Sequence, residues 1–285
     1  MNNNHINDGM PELSATVTET KPAEKQLTPN QIFRRQLTQY EKTIVKLIGN
    51  SGFSPEKFMA VVENSIRKTP SLLNCDRQSL FASILTAAEF GLEPNTPAQH
   101  CYIIPYKNEA TFQFGYHGIT HLLYRNPRIL KIFTEIVFKN DQFDRWIDES
   151  MNWKFIFRPA EGDRGALKGI FAVAHIDGTD PEFKYMTLEE LNQIKAKSKK
   201  PDLYSIENDP QRWMYRKAVV KQIAKLLPKN TIIERALTMD SQIEGGASLT
   251  VDERGTVIIA DKPQNISRKK LSTIFNVTDV EPQNN

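Results

Sequence analysis

The chain has 285 residues, with 37 Lys and Arg against 34 Asp and Glu, a formal charge of +3, and 39% hydrophobic residues. That apolar fraction lies below the ~45–50% usual for a globular domain, so part of the chain is expected in solvated tails. No run of about 18 apolar residues exists to span a membrane, the opening MNNNHINDGMPELSATVTET lacks the basic and apolar regions of a secretory signal, and two cysteines, Cys75 and Cys101, fit a reducing compartment better than a disulfide framework.

Residues 1–28 are rich in Asn, Thr, Glu and Pro without periodicity and read as a disordered arm. Thr28 and Pro29 then open a helix expected to run to Ile48, where Gly49 stops it. A second helix starts at Ser54-Pro55, with Phe58, Val61, Val62 and Ile66 inward, and a third runs from about Asp76 to Phe90, ended by Gly91. The period next falls to two. CYIIPY (101–106) and ATFQFGY (110–116) are expected to form a hairpin about Lys107-Asn108-Glu109, with Thr111, Gln113 and Gly115 on its polar face. A short helix over 118–125 follows, then strands over 129–138, 153–157, 168–176 and 182–186, then helices over about 187–198 and 210–227. Beyond about residue 240 the chain turns polar, and TVIIA (256–260) reads as an isolated strand or a short linear motif. No βαβ alternation occurs. The expected class is therefore α+β: N-terminal helices, a central antiparallel β-sheet with a β-hairpin followed by a helix, and C-terminal basic helices. The expected organisation is an N-terminal arm (1–28), a core domain (29–238), and a flexible C-terminal tail or small interaction segment (239–285).

The charge is unevenly spread. Residues 1–30 and 236–285 each carry a net −2, residues 31–194 are neutral, and residues 195–235 carry +7. Such a concentration is the footprint of a polyanion site, because binding phosphates releases condensed counterions; a solvated lysine-rich helix face would look the same.

Signatures of catalysis are sparse. The P-loop, the dinucleotide-binding glycine pattern, C-x-x-C and H-E-x-x-H are all absent from the sequence. His117 and His121 have the i, i+4 spacing of a two-histidine metal site, without a carboxylate or cysteine in the same turn. Glu182-Phe183-Lys184 matches the E-x-K of some metal-dependent nucleases, with Asp163 or Asp177 as a second carboxylate. The acids Asp141, Asp144, Asp148 and Glu149 read as a solvated loop.

The segment 210–227 is the most informative. Asp209 is expected to cap it and Pro210 to take its first position. Lys217, Lys221 and Lys225 form a row at i, i+4, i+8 opposite an apolar face, whereas Arg212 and Arg216 fall at the angle of that face. A guanidinium there needs a partner, either an internal one or a ligand phosphate whose geometry its fork matches. Lys195, Lys197, Lys199 and Lys200 read as a mobile basic patch. Among the nearby aromatics Tyr102, Tyr106, Phe112, Phe114, Tyr116, Tyr124 and Trp213, most are expected in the core and one or two on bases.

Three blocks in order resemble the RecT family of phage single-strand annealing recombinases. GLEPNTPAQHCYIIPYKNEATFQFGYHGITHLLYRN carries a GLEP turn (Gly91 to Pro94), a Y-x-x-P-Y strand (Tyr102 to Tyr106), and Gln113 with Gly115-Tyr116-His117-Gly118. GIFAVAHIDGTDPEFKYMTLEEL is similar to the family's central strand pair and helix, and WMYRKAVVKQIAKLLPK to its basic helix with Met214, Arg216, Lys217 and Lys221. His117 stands where relatives usually place Lys or Arg, which would make that contact pH-dependent.

The resemblance implies ATP-independent pairing of complementary strands in the bacterial cytoplasm, without covalent catalysis. It implies rings or helical filaments of this chain on single-stranded DNA and on the duplex annealing intermediate. The implied partners are a RecE-type 5′→3′ exonuclease and a host single-strand-binding protein; Arg268, Lys269 and Lys270 either recruit the latter or belong to a plain tail. No nucleotide or resident metal is expected, magnesium acting through the DNA. The expected DNA-binding residues are Lys107, Gln113, Tyr116, His117, Arg125, Arg128, Arg216, Lys217, Lys221 and Lys225, with Gly115 allowing close approach of a strand. The alternatives are a metal-dependent DNA nuclease built on Glu182 and a module that coats single strands without annealing them.

Overall fold

A computed structural model describes residues 27–49, 53–198, 201–252 and 254–260. The expected disordered arm, apart from residues 27 and 28, lies outside the described residues, as do Lys199, Lys200 and the Arg268-Lys269-Lys270 run.

The N-terminal helix divides into α1 (Pro29–Gln39) and α2 (Glu41–Ile48). Thr28 and Gln31 form a capping box at its start. At Tyr40 the chain tightens, its N–H reaching back three residues to Leu37 O, while its ring stacks on Phe81 at 4.7 Å. Helix α3 (Pro55–Lys68) is capped by Ser54. Helix α4 (Arg77–Phe90) is capped by Asp76 and stopped by Gly91 at φ 57°, the left-handed conformation that glycine adopts without strain. Every residue of α4 from Ser79 to Ala88 is buried. A helix surrounded on all sides must satisfy its hydroxyls internally: Ser83 donates to Ala110 O at 3.0 Å and Thr86 to Ala82 O at 2.8 Å.

Strands β1 (Cys101–Tyr106) and β2 (Glu109–Phe114) pair antiparallel, with Tyr106 opposite Glu109. The turn is thus the two residues Lys107-Asn108, with Lys107 at φ 55°. Helix α5 (Tyr116–Tyr124) follows directly. Strands β3 (Ile129–Phe138), β6 (Leu167–Ile176) and β7 (Glu182–Thr187) form an antiparallel sheet in the order β3-β6-β7. Between β3 and β6 lies a two-stranded ribbon: β4 (Gln142–Ile147), a strand not expected, pairs with β5 (Trp153–Arg158), the strand expected over 153–157. Its Phe143, Phe155 and Phe157 cover one face of the sheet at Phe171, Phe183 and Tyr185. The acidic group expected in a loop is partly structural: Asp141 is buried and holds Arg164 through two bonds of 2.9 and 2.7 Å.

The other face of the sheet meets the main core through Ile132, Ile136, Ile170 and Ala172. Helices α6 (Leu188–Lys197), α7 (Trp213–Ile223) and α8 (Thr231–Gly245) complete that core. The expected core boundary at 238 falls inside α8, where Met239, Asp240 and Ile243 are buried. Packing continues through β8 (Ser248–Val251), which lies on α4 and pairs with β9 (Val257–Ala260). The segment expected as an isolated strand or linear motif is therefore the second strand of a hairpin. The remainder of the expected tail, 261–285, lies outside the described residues.

Candidate nucleic-acid interface

Helix α7 starts three residues later than expected. Asp209 is buried and its carboxylate accepts from Trp213 N and Met214 N, both at 2.8 Å; it caps the helix from outside, and Pro210 precedes the helix instead of opening it. Arg212 occupies the N-cap position at φ 59° and donates to Tyr204 O at 3.0 Å. From this start the helix presents its basic residues to different surroundings.

Lys217 departs most from expectation. It is 3% exposed, so it does not stand in a solvent-facing row. Its ammonium lies 2.8 Å from Asp240 and 3.2 Å from Glu244, both on α8. Lys221 contacts the same two carboxylates, each at 2.6 Å. Burial works against the charge on Lys217, and Asp240 and Glu244 outweigh it, so its pKa is raised; burial likewise opposes ionised Asp240, but Lys217 and Lys221 hold its carboxyl below the usual range. Lys225, one turn on, is exposed and donates to Gln222 at 3.0 Å.

The hairpin and helices enclose a cavity of about 700 Å³. Ile104, Tyr106, Leu203, Tyr204 and Met214 give it apolar walls, and Gln113, Lys197, Lys217, Lys221, Lys225 and Glu244 supply polar and charged lining. A second recess of about 620 Å³ shares Lys221, Lys225 and Ser241 with it and adds Lys229. Together they form a lysine-bearing depression along α7 and α8, with the expected residues Gln113, Lys221 and Lys225 on its walls. Lys107, exposed at the hairpin turn, places its ammonium 5.9 Å from the ring of Tyr106.

Other expected residues gather on the opposite flank of α7. The ring of Trp213 lies 4.9 Å from both Tyr116 and His117, with the Arg216 guanidinium 5.4 Å away. Arg216 is satisfied inside the protein: it donates to Thr134 O, to Thr134 Oγ1 at 2.9 Å and to Gln211 O at 3.0 Å, with Glu135 at 4.0 Å. Tyr116 shares a 3.3 Å hydrogen bond with the same Thr134 hydroxyl, and burial pushes its phenol up. Arg125 donates to Gly91 O at 3.3 Å and lies 3.4 Å from His121 Nε2. His121 stacks on His100 at 4.8 Å, so its close ring partner is His100 and not His117. Burial lowers the pKa of His100, His117 and His121 alike. Arg128 stands exposed at the entry to β3. Phe112 and Phe114 are core residues. Glu182 lies opposite Ala174 in the sheet, and among the described residues no group of three His, Cys, Asp or Glu is placed to hold a metal.

The glycines of the GYHG segment serve the protein's own chain. A Cβ on Gly115 would lie 2.0 Å from Gln99 O, and one on Gly118 would lie 1.9 Å from His100 O. The expected close approach at Gly115 is thus made by the 94–100 loop. That loop is fixed by Asn95, whose side chain accepts from Ile103 N at 2.9 Å and donates to Ile103 O at 3.0 Å, and by Ser65, which donates to Pro94 O at 2.8 Å. Asp240, Glu244 and Lys229 were absent from the expected site; the i, i+4 spacing of the two acids, matched to Lys217 and Lys221, is the signal that carried them.

An α+β fold with a lysine-lined depression, amides on its wall and arginines beyond it suits a ligand with a repeating negative charge. A profile of the RecT family matches residues 56–256. The chain belongs to the RecT family. It is 27% identical over 216 residues to Protein RecT of Escherichia coli (strain K12), covering 72% of this chain and 76% of that protein. It is also 21% identical over 209 residues to Uncharacterized protein YqaK of Bacillus subtilis (strain 168), covering 73% and 72%. Membership places the chain among recombination proteins of single-strand annealing, which bind single-stranded DNA and oligomerise. Among the described residues, no helix is long and apolar enough to cross a membrane.

Proposed function

We propose that this protein anneals complementary single strands without ATP, holding one strand by its backbone until a second pairs with it, and stays bound to the duplex intermediate as a ring or filament. The observation that carries this reading is the depression along α7 and α8, where Lys221 and Lys225 are shared by both recesses in a chain matched to the family over 201 contiguous positions, residues 56–256. Annealing requires no bond chemistry. It needs a surface that neutralises backbone charge so that a second polyanion can approach, and base pairing supplies the specificity.

Lys107, Arg125, Arg128, Lys221 and Lys225 are the backbone contacts in this reading, with Gln113 as a neutral donor to a phosphate or sugar. Tyr116, His117 and Arg216 hold the Trp213 ring, and His117 contributes a phosphate contact when protonated. Lys217 is a structural cation. Magnesium acts by screening the two strands, and a RecE-type exonuclease and a host single-strand-binding protein are the partners that would supply and yield the single strand.

Five such contacts give a slope of log affinity against log salt of about −3.5 for a single strand. Titrating labelled oligonucleotides of unrelated sequence over a range of salt tests this. Equal slopes near that value support backbone binding. A slope near zero, or strong dependence on sequence, would refute it.

A further inference from the structure

In the depression, the quartet Lys217, Lys221, Asp240 and Glu244 is electrically balanced, two cations against two carboxylates. The two acids are not equivalent. The Asp240 side chain is 2% exposed, whereas that of Glu244 is 38% exposed and lines the cavity. Glu244 also sits in the last turn of α8, which has no basic residue there. A carboxylate at that end meets the negative pole of the helix dipole. What favours it is the pair of lysines across the gap. Lys221, with its side chain 13% exposed, borders both recesses, so an anion entering from either side can reach it.

We infer that Glu244 is an internal stand-in for a DNA phosphate: it occupies Lys221 in the free protein and is displaced when a strand enters the depression. This rests on the backbone-binding reading above and adds to it a residue that opposes binding. Lys217 and Asp240 stay paired throughout, because both are buried. The exchange trades one anion for another on Lys221, so the quartet remains neutralised in either state. The liberated Glu244 can turn to solvent, since its side chain is already 38% exposed at the cavity wall. Such a competitor sets a threshold: a strand must offer several phosphates at once before Lys221 changes partner, which favours long strands over short ones.

The test uses the full chain and fluorescein-labelled oligothymidylate, titrated at several salt concentrations, with thermal melts to establish folding. Glu244→Gln is compared with Glu63→Gln, which removes the same charge from the surface pair with Arg34. Glu244→Gln is expected to bind several-fold more tightly than wild type at low salt, with the salt slope unchanged because Lys221 meets a phosphate in both bound states. Glu63→Gln is expected to match wild type, and the gain from Glu244→Gln is expected to vanish in a Lys221→Met background. Equal affinities for the two glutamine variants would overturn the role of Glu244 while leaving backbone binding intact. Failure of the wild type to bind oligothymidylate would instead overturn the functional reading on which it rests.

Discussion

Replacing Lys217 with Met separates a structural cation from a DNA-binding one. The thioether keeps most of the stem, so the variant removes the ammonium and leaves little void. Removing one partner of a buried pair costs about 3–5 kcal/mol, mostly through the charge left behind. Asp240 would keep Lys221 at 2.6 Å, so the lower end, about 3 kcal/mol, applies. For a domain of this size that lowers the melting temperature by about 6–12 °C. Oligonucleotide affinity, measured where the variant is folded, should change by no more than about twofold, since Lys217 offers DNA no accessible donor and a buried charge acts only at long range through screened solvent. The salt slope should equal that of the wild type. Circular dichroism melts and a salt titration decide it. An unchanged melting temperature with a flatter slope would show that Lys217 reaches phosphate, and would refute the assignment.

Gly118→Ala would force a methyl to within 1.9 Å of His100 O, a backbone group that cannot move aside without releasing the 94–100 loop; a cost above about 4 kcal/mol is expected, visible as loss of soluble, cooperatively melting protein. Asp141, held by Arg164 and by two backbone N–H groups, has its pKa lowered from 3.8 to about 2; its folded pKa is depressed, so its contribution is present above pH 3.8 and lost as pH falls towards about 2. The size is about 2 kcal/mol, and an acid melt series on Asp141→Asn should lack that loss. The lowered pKa values of His100, His117 and His121 make the folded state bind protons less readily than the unfolded chain, so stability is complete above the ordinary value of 6.5 and declines as pH falls below it. Binding to DNA should move the other way, strengthening at lower pH as phosphate favours the imidazolium. His117→Gln should flatten that dependence in a titration at several pH values.

The helices and the hairpin were legible because their punctuation is local: Thr28, Ser54, Asp76 and Gly91 act within a few residues of themselves. Helix α8 was missed although its signals are of the same kind. Asn230 caps it, Gly246 ends it in the left-handed region, and Ile233, Ala236, Met239 and Ile243 line its buried face; the polar composition around it masked that period. The misplacement of Lys217 follows from this one omission. On α7 alone three lysines form a row, and only a second helix carrying Asp240 and Glu244 turns two of them inward. The ribbon strand β4 was missed for a different reason: only Phe143 of its six residues is part-buried, while Arg145, Trp146 and Ile147 are exposed, so no alternating apolar pattern marks it. The fates of Arg216, bound to Thr134, and of Gly115, pressed against Gln99, depend on long-range contacts that no local pattern encodes.

The central claim is that complementary strands pair on this protein through lysines of the α7–α8 depression, without a nucleotide. Annealing of two complementary oligonucleotides, followed by fluorescence quenching in ATP-free buffer, measures it most directly. The wild type should accelerate pairing, and Lys225→Ala combined with Lys229→Ala, both exposed positions, should lose most of the acceleration while melting normally. Pairing that requires ATP, or that proceeds at the wild-type rate in the double variant, would contradict the account.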